Sequence, residues 1–459
     1  MREPLDRRRN RPLGRRAALL GAAGLLAGCE TITDVVDSVA GTRTVPLPGE
    51  RIPVLSAART LGVDPGAGGR PFALPPPRVN DAWPVAGGTP DHAPGHLALG
   101  GGLREAWRAS VGSGGGYRQR LTAPPITDGE TVFAMDAVGA ISAFDAARGG
   151  RRWRTDTRPE DAWGGALGGA IALHEGVLYA ATGMAEVMAL DPADGTIRWR
   201  AALPAPARGG IAVAEGRVMV PTVENQLLAH STEDGRRLWA FRATPVPALM
   251  LGQPSPAVAD GLAVAGFASG EVVALRVADG RVQWTEALGI VRGGLPSLAD
   301  IGAVTGLPVM DRGRVHAVSM GGTAISLDQR SGRRVWEREV GGAVAPAVGG
   351  DWVFVLSTGN ELLCMGREDG RIRWISAQPA YGDPERRRDP IIWSPPLLGG
   401  GRLLLAGTTG ELLEVDPATG ETLSRQRLPG GVSLQPAIAR ETLFVLTDGG
   451  SLVALRGVG

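Results

Sequence analysis

Residues 187–199 read VMALDPADGTIRW, and the same frame returns along the chain. ISAFDAARGGRRW ends at Trp153, LLAHSTEDGRRLW at Trp239, VVALRVADGRVQW at Trp284, AISLDQRSGRRVW at Trp336 and LLCMGREDGRIRW at Trp374. Apolar residues alternate over the opening positions, an Asp-Gly or Ser-Gly pair usually supplies left-handed turn geometry, and a tryptophan closes the second half. Each copy reads as strand, tight turn, strand. A further copy, LLEVDPATGETLS, carries Ser424 at the tryptophan position. Ahead of each hairpin comes another pair of short apolar runs headed by proline or glycine, as in QPSPAVADGLAVAGFASG (residues 253–270) and LQPAIARETLFVLTDGG (residues 434–450). One repeat is therefore four short strands.

From Trp107 through Ser424 there are eight such positions, 38 to 52 residues apart, which is the length that one four-stranded propeller blade needs. The two ends of the array complement each other. The chain closes in SLVALRGVG with no tryptophan strand to follow, and LREAWRASVG, residues 103–112, begins with no hairpin before it. Pairing them closes a ring and removes the two edges that a linear array would expose. The expected fold is all-β: an eight-bladed β-propeller of four-stranded antiparallel blades over residues 103–459, the ring closed by N- and C-terminal strands in one blade. An open β-solenoid fits less well, because its repeats are generally shorter and it needs separate caps.

The composition is that of a globular chain, with 43% hydrophobic and 21% charged residues, ample for a sizeable core. Basic and acidic residues number 48 and 47, so no basic excess argues for nucleic acid as a partner. The arginines of MREPLDRRRNRPLGRR precede an apolar run that ends in LLAGC. That run is far shorter than the roughly 20 residues needed to cross a bilayer as a helix, and it reads as a secretory signal. Leu26-Ala27-Gly28-Cys29 resembles the lipobox of bacterial lipoproteins, which implies acylation of Cys29 and cleavage before it. Arg15-Arg16 followed by Ala-Ala-Leu-Leu also resembles a twin-arginine signal, with Gly14 in place of the usual hydroxyl residue. The expected divisions are a signal peptide over 1–28, a lipidated tail and extension over 29–102, and the propeller over 103–459. With Cys29 acylated only Cys364 remains, which leaves no intramolecular disulfide.

No catalytic or metal-binding constellation emerges. His92 and His96 are separated by Pro94, which works against one helical face; His174, His230 and His316 stand singly. Asp145, Asp191, Asp328 and Asp416 each precede the turn of their own repeat, where a short carboxylate caps turn amides. The segment AYGDPERRRDPI, residues 380–391, reads as a solvated loop.

The ALDxxTGxxxW hairpin is similar to the repeat of the pyrroloquinoline-quinone (PQQ) type propellers, a superfamily of quinoprotein dehydrogenases and non-catalytic proteins. Its dehydrogenases hold the quinone against a disulfide between adjacent cysteines and place Ca²⁺ beside a catalytic Asp. This chain has no adjacent cysteine pair. The lipobox, the eight repeats and the missing catalytic apparatus together resemble the BamB family, lipoprotein subunits of the outer-membrane β-barrel assembly (BAM) machine. The resemblance implies a non-enzymatic scaffold without cofactor, anchored by lipid at the periplasmic face of the outer membrane. Its partners would be the POTRA domains of BamA, other BAM subunits and unfolded outer-membrane proteins. Residues 45–101 resemble the N-terminal extension of alphaproteobacterial members.

In the family, BamA is bound through loops at one end of adjacent blades. PALMLGQPSP places Leu249 and Leu251 on a Leu-x-Leu-Arg contact, with Gly252 for the arginine; LPSLADIGAVTGLPV places Asp300 on the first acid of an Asp-x-Asp, with Gly302 for the second. Alternate leucines also suit ordinary packing between blades. Two other readings stay open on these residues: a lipid-anchored PQQ-dependent oxidoreductase, and an adaptor for some other envelope complex.

Overall fold

Each hairpin of the repeat forms because two runs of β-branched and aliphatic residues are joined by a turn that tolerates positive φ. In the computed structural model, residues 61–116, 119–159, 168–207, 209–246, 254–288 and 302–458 are described. Among them the secondary structure is entirely β, with eight four-stranded antiparallel sheets and one two-stranded hairpin. Blade 1 consists of Ile126–Thr127, Thr131–Met135, Ile141–Asp145 and Arg151–Thr155, and blade 7 of Leu397–Gly399, Arg402–Ala406, Glu411–Val415 and Thr422–Arg427. Blades 2 to 6 repeat the order, their first strands beginning at Gly169, Ala212, Ala257, Val309 and Ala347. Blade 8 is assembled from Ala437–Ala439, Thr442–Leu446, Ser451–Arg456 and, as its fourth strand, Arg104–Ser110. The register there runs from Arg104 opposite Arg456 to Ser110 opposite Ser451, closing the ring.

The strands differ in burial as their place in the ring requires. Second and third strands are buried on both faces, as in TVFAM of blade 1 and QLLAHS of blade 3, because each sheet is sandwiched between its neighbours. Their near-continuous apolar runs follow from that. Fourth strands alternate, as in IRWRAA of blade 2 and RLWAFR of blade 3. First strands of most successive blades touch one another and so line the axis.

A β-bulge recurs between the third and fourth strands of every blade, skipping the residue just before the tryptophan position. The bulge re-aims two side chains at once. In blades 1 and 2 the skipped residue reaches the turn: Arg152 donates to Asp145 at 2.9 Å and Arg198 to Asp191 at 2.8 Å. The tryptophan turns toward the next blade, where its indole N–H donates to a carbonyl beside that blade's turn. Trp107 reaches Ala146, Trp153 Pro192, Trp199 Thr232, Trp239 Val277, Trp284 Gln329, Trp336 Arg367 and Trp374 Pro417, all at 2.8–3.0 Å. The turn glycine of the next blade lies flat on the ring. A Cβ on Gly149, whose φ is +76°, would stand 2.5 Å from Trp107. The Gly and Trp of the repeat thus meet across blades.

Ser424 breaks this pattern for a structural reason. The third and fourth strands of blade 8 come from opposite ends of the array, so no hairpin turn joins them, and a tryptophan in blade 7 would have no turn glycine to dock on.

Residues Leu61–Gly459 form one compact unit, and its first forty or so residues lie against the propeller. Asp64 pairs with Ile372 through backbone and carboxylate hydrogen bonds. Phe72 stacks on Trp352 at 5.3 Å, with the Arg373 guanidinium 5.5 and 5.2 Å from the two rings. From there the chain runs round the inner edges of the blades.

Candidate interaction face and channel

The first strand of each blade is short and has a free inner edge, whose buried amides need acceptors. At the end of the channel where first strands turn into second strands, residues 80–97 supply them. Carbonyls of Asn80, Trp83, Pro84, Pro90 and Asp91 accept from the amides of Arg440, Thr127, Leu173, Val258 and Met310 at 2.7–2.8 Å, and Leu97 exchanges bonds with Leu398 and Gly400. Val85 joins Val213 in the core beside blade 3, and Trp83 and Leu97 are fully buried. This end of the channel is filled by the chain itself.

The opposite end remains open as a cavity of about 300 Å³. Ala86 lines it from the segment 80–97, and Thr122, Gly210, Pro254, Leu307 and Gln435 line it from the connections that enter the first strands. A second cleft, of about 440 Å³, lies between blades 6 and 7 and is lined by Met320, Val344, Leu356, Tyr381, Ile391 and Trp393. Residues 380–391, expected as a solvated loop, carry an exposed two-stranded hairpin, Tyr381–Asp383 with Arg388–Pro390, before Ile391 and Trp393 turn inward.

The residues singled out for partner binding and lipidation, Leu249, Leu251, Asp300 and Cys29, lie outside the described residues. The first two belong to the connection between Arg237–Arg242 of blade 3 and Ala257–Ala259 of blade 4. Asp300 belongs to the connection between Val282–Ala287 and Val309–Asp311. Both connections are of the class whose described members, Pro254 and Leu307 included, line the open cavity.

The remaining polar candidates are structural. Asp145, Asp191, Asp328 and Asp416 accept from the amides of Ala147, Ala193, Ser331 and Ala418 as turn caps. Arg152 and Arg198 donating into Asp145 and Asp191 hold these carboxyls below the usual range. His92 and His96 are both buried and point to different partners. His92 Nδ1 meets the Pro308 carbonyl at 2.8 Å; His96 Nδ1 meets the Pro75 carbonyl at 2.7 Å while its Nε2 accepts from Gly401. Burial pushes His92 and His316 down to about 4. Cys364 is free and buried, and desolvation raises its thiol pKa, which makes it unreactive. Among the described residues no three His, Cys, Asp or Glu side chains converge as a metal site.

The family profile described as "Outer membrane protein assembly factor BamB" matches residues 137–376 and 383–458. The chain belongs to the BamB family. Among its relatives, the BamB of Yersinia pestis is 27% identical over 360 residues, covering 76% of this chain and 88% of that protein. The BamB of Escherichia coli K12 is 26% identical over 358 residues, with the same shares. The crystal structure of BamB from Moraxella catarrhalis is similar with a TM-score of 0.64 at 18% identity, covering 76% of this chain and 100% of that one. A europium-containing methanol dehydrogenase is similar with the same TM-score at 14% identity, covering 82% of this chain and 98% of that one. These structures share the fold; the sequence match assigns the chain to a family of assembly factors, not enzymes.

What sequence reasoning missed is the segment 73–99. NDAWPVAGGTP, with Trp83 among glycines and prolines, carried a signal of close backbone packing in those glycines, since Cβ atoms on Gly87 and Gly88 would stand 2.6 and 2.8 Å from His92 and Trp83.

Proposed function

We propose that this chain is a non-catalytic scaffold of outer-membrane protein assembly, held at the membrane by a lipid on Cys29, that docks the POTRA domains of BamA. The observation that carries the reading is the asymmetry of the ring in a chain of the BamB family. One mouth is filled by the chain's own backbone, while the connections entering the first strands surround an open cavity at the other. The leucine and acid stretches that resemble the family's partner loops belong to that second set of connections. Functional residues concentrate on such connections because the strands beneath them are rigid.

The outer edges of the blades are poor places for unfolded client strands to add by β-augmentation. Their fourth strands read RRWRT, IRWRAA, RLWAFR and RVWER, and edge arginines discourage strand addition. The scaffold therefore works by holding folded domains in place.

The test is paired, on one preparation: thermal unfolding beside capture of purified BamA. The Leu249→Asp/Leu251→Asp double variant keeps the wild-type midpoint and loses capture, and Asp300→Arg weakens it. A folded double variant that captures BamA at wild-type strength removes both leucines from the interface. If midpoint and capture fall together, the leucines are core residues, because unpaired carboxylates have been buried.

A further inference from the structure

Seven of the eight blade-to-blade interfaces carry a tryptophan clasp, and the interface between blades 7 and 8 has Ser424 instead. The same region contains the seam of the ring, where Arg104–Ser110 and Ser451–Arg456 are paired without a connecting turn. We propose that residues 78–99 are a built-in strap that stands in for the missing eighth clasp and fastens blade 7 to blade 8 from inside the channel.

The strap touches both blades at once. On blade 7, the Leu97 amide donates to the Leu398 carbonyl at 3.2 Å and the Gly400 amide to the Leu97 carbonyl at 2.8 Å. On blade 8, the Asn80 side-chain amide donates to the Ile438 carbonyl at 2.8 Å, and the Arg440 amide to the Asn80 carbonyl at 2.7 Å. Arg78 ties these two contacts together, since its amide donates to the His96 carbonyl and its carbonyl accepts from Ala98. Leu97 and Leu99 share one core with Leu397 and Leu404 of blade 7 and with Ala437, Ile438 and Phe444 of blade 8. Arg402 of blade 7 adds a donor to the Gly100 carbonyl at 2.7 Å.

Between its contacts with blade 8 at Asn80 and with blade 7 at Leu97 the strap goes round the axis. Trp83, Pro84, Val85, Pro90 and Asp91 meet blades 1, 2, 3, 4 and 5 in order. Phe72 and Arg70 are moored on blade 6, through Trp352 and Asp369. Parting blades 7 and 8 therefore requires breaking the strap's bonds at their first strands as well as the pairing of the closing strand, and the two fastenings act on different strands of the ring.

Hydrogen exchange on the full chain tests this. In a Leu97→Ala/Leu99→Ala variant, amides of the first and second strands of blades 7 and 8 exchange at least about tenfold faster, while blades 3 and 4 keep wild-type protection. Uniform loss of protection, or loss confined to residues 96–100, overturns the proposal. A second experiment needs no destabilising change in the core. A protease site inserted between the exposed Gly101 and Gly102 is cut in the folded protein. The N-terminal piece then stays with the propeller through gel filtration, and the thermal midpoint becomes concentration-dependent. Release of the piece with an unchanged midpoint refutes a fastening role.

Discussion

At the scale of the residue, the repeat is a device for joining blades, and its tryptophan and glycine belong to different copies of the motif. Trp239 shows the balance of terms. It is half-buried, donates to the Val277 carbonyl at 2.9 Å and supports the Gly280 turn. Trp239→Ala is expected to lower stability by about 2–3 kcal/mol, less than the ~3–5 kcal/mol of fully buried tryptophan truncations. Ser424→Trp makes the converse point. Position 424 is exposed and faces no turn, so restoring the consensus there is expected to change stability by no more than about 0.5 kcal/mol. Urea unfolding of the two variants beside wild type checks both. Stabilisation by Ser424→Trp comparable to the loss at Trp239 would show that the ring, not the turn, carries the clasp.

At the scale of the element, the closing strand Arg104–Ser110 holds a place that any fourth strand holds. It has the same bulge, between Glu105 and Trp107, and Trp107 makes the same bond into blade 1. Deleting residues 103–112 exposes the edge of Ser451–Arg456 and uncovers Phe444, whose ring centroid is 6.0 Å from that of Trp107. Association through the bared edge is expected, with a lower thermal midpoint. Light scattering and calorimetry on the deletion variant test it: a monomer with wild-type midpoint would show that the strap alone closes the ring. The hairpins and their tryptophan positions recur at countable spacing, so the strands and blades were legible; the bulges before the tryptophans were not. The bonds of residues 80–97 were not, because that segment has no periodicity of its own and makes its contacts as irregular backbone.

At the scale of the whole molecule, the ring and the segment in its channel bury histidines that take up a proton less readily folded than unfolded. His92 and His316 are both buried, and desolvation lowers each from 6.5 to about 4. Asp91 works against the shift at His92, as Asp311 does at His316. A folded-state pKa below the unfolded one means that the unfolded chain takes up protons first as pH falls. Stability is therefore full above about pH 7.5, declines from pH 6.5 toward 4, and loses no more from these groups below that. At 1.36 kcal/mol per pKa unit the decline approaches about 3 kcal/mol for each histidine. His316 has neither ring nitrogen bonded and lies 5.9 Å from Trp336, centroid to centroid. His316→Phe keeps a ring there and removes one titration, so the slope of unfolding free energy between pH 7 and 5 is expected to fall by roughly a third to a half, His92 and His230, which burial also lowers, supplying the rest. An unchanged slope would assign the acid sensitivity elsewhere.

Blade number, strand order, ring closure and the turn role of the aspartates were determined by the sequence alone. Each rests on interactions within a dozen residues or on a repeat that can be counted: alternation sets a strand, Asp-Gly sets a turn, and incomplete repeats at the two ends define the closure. Only the tertiary structure decided where the tryptophans dock, why Ser424 is tolerated and what residues 73–99 do. Those depend on contacts between positions far apart in the chain, such as Asn80 with Ile438, 358 residues away. Such pairings leave no local pattern, because what selects them is the free inner edge of strands that exist only after the ring has formed.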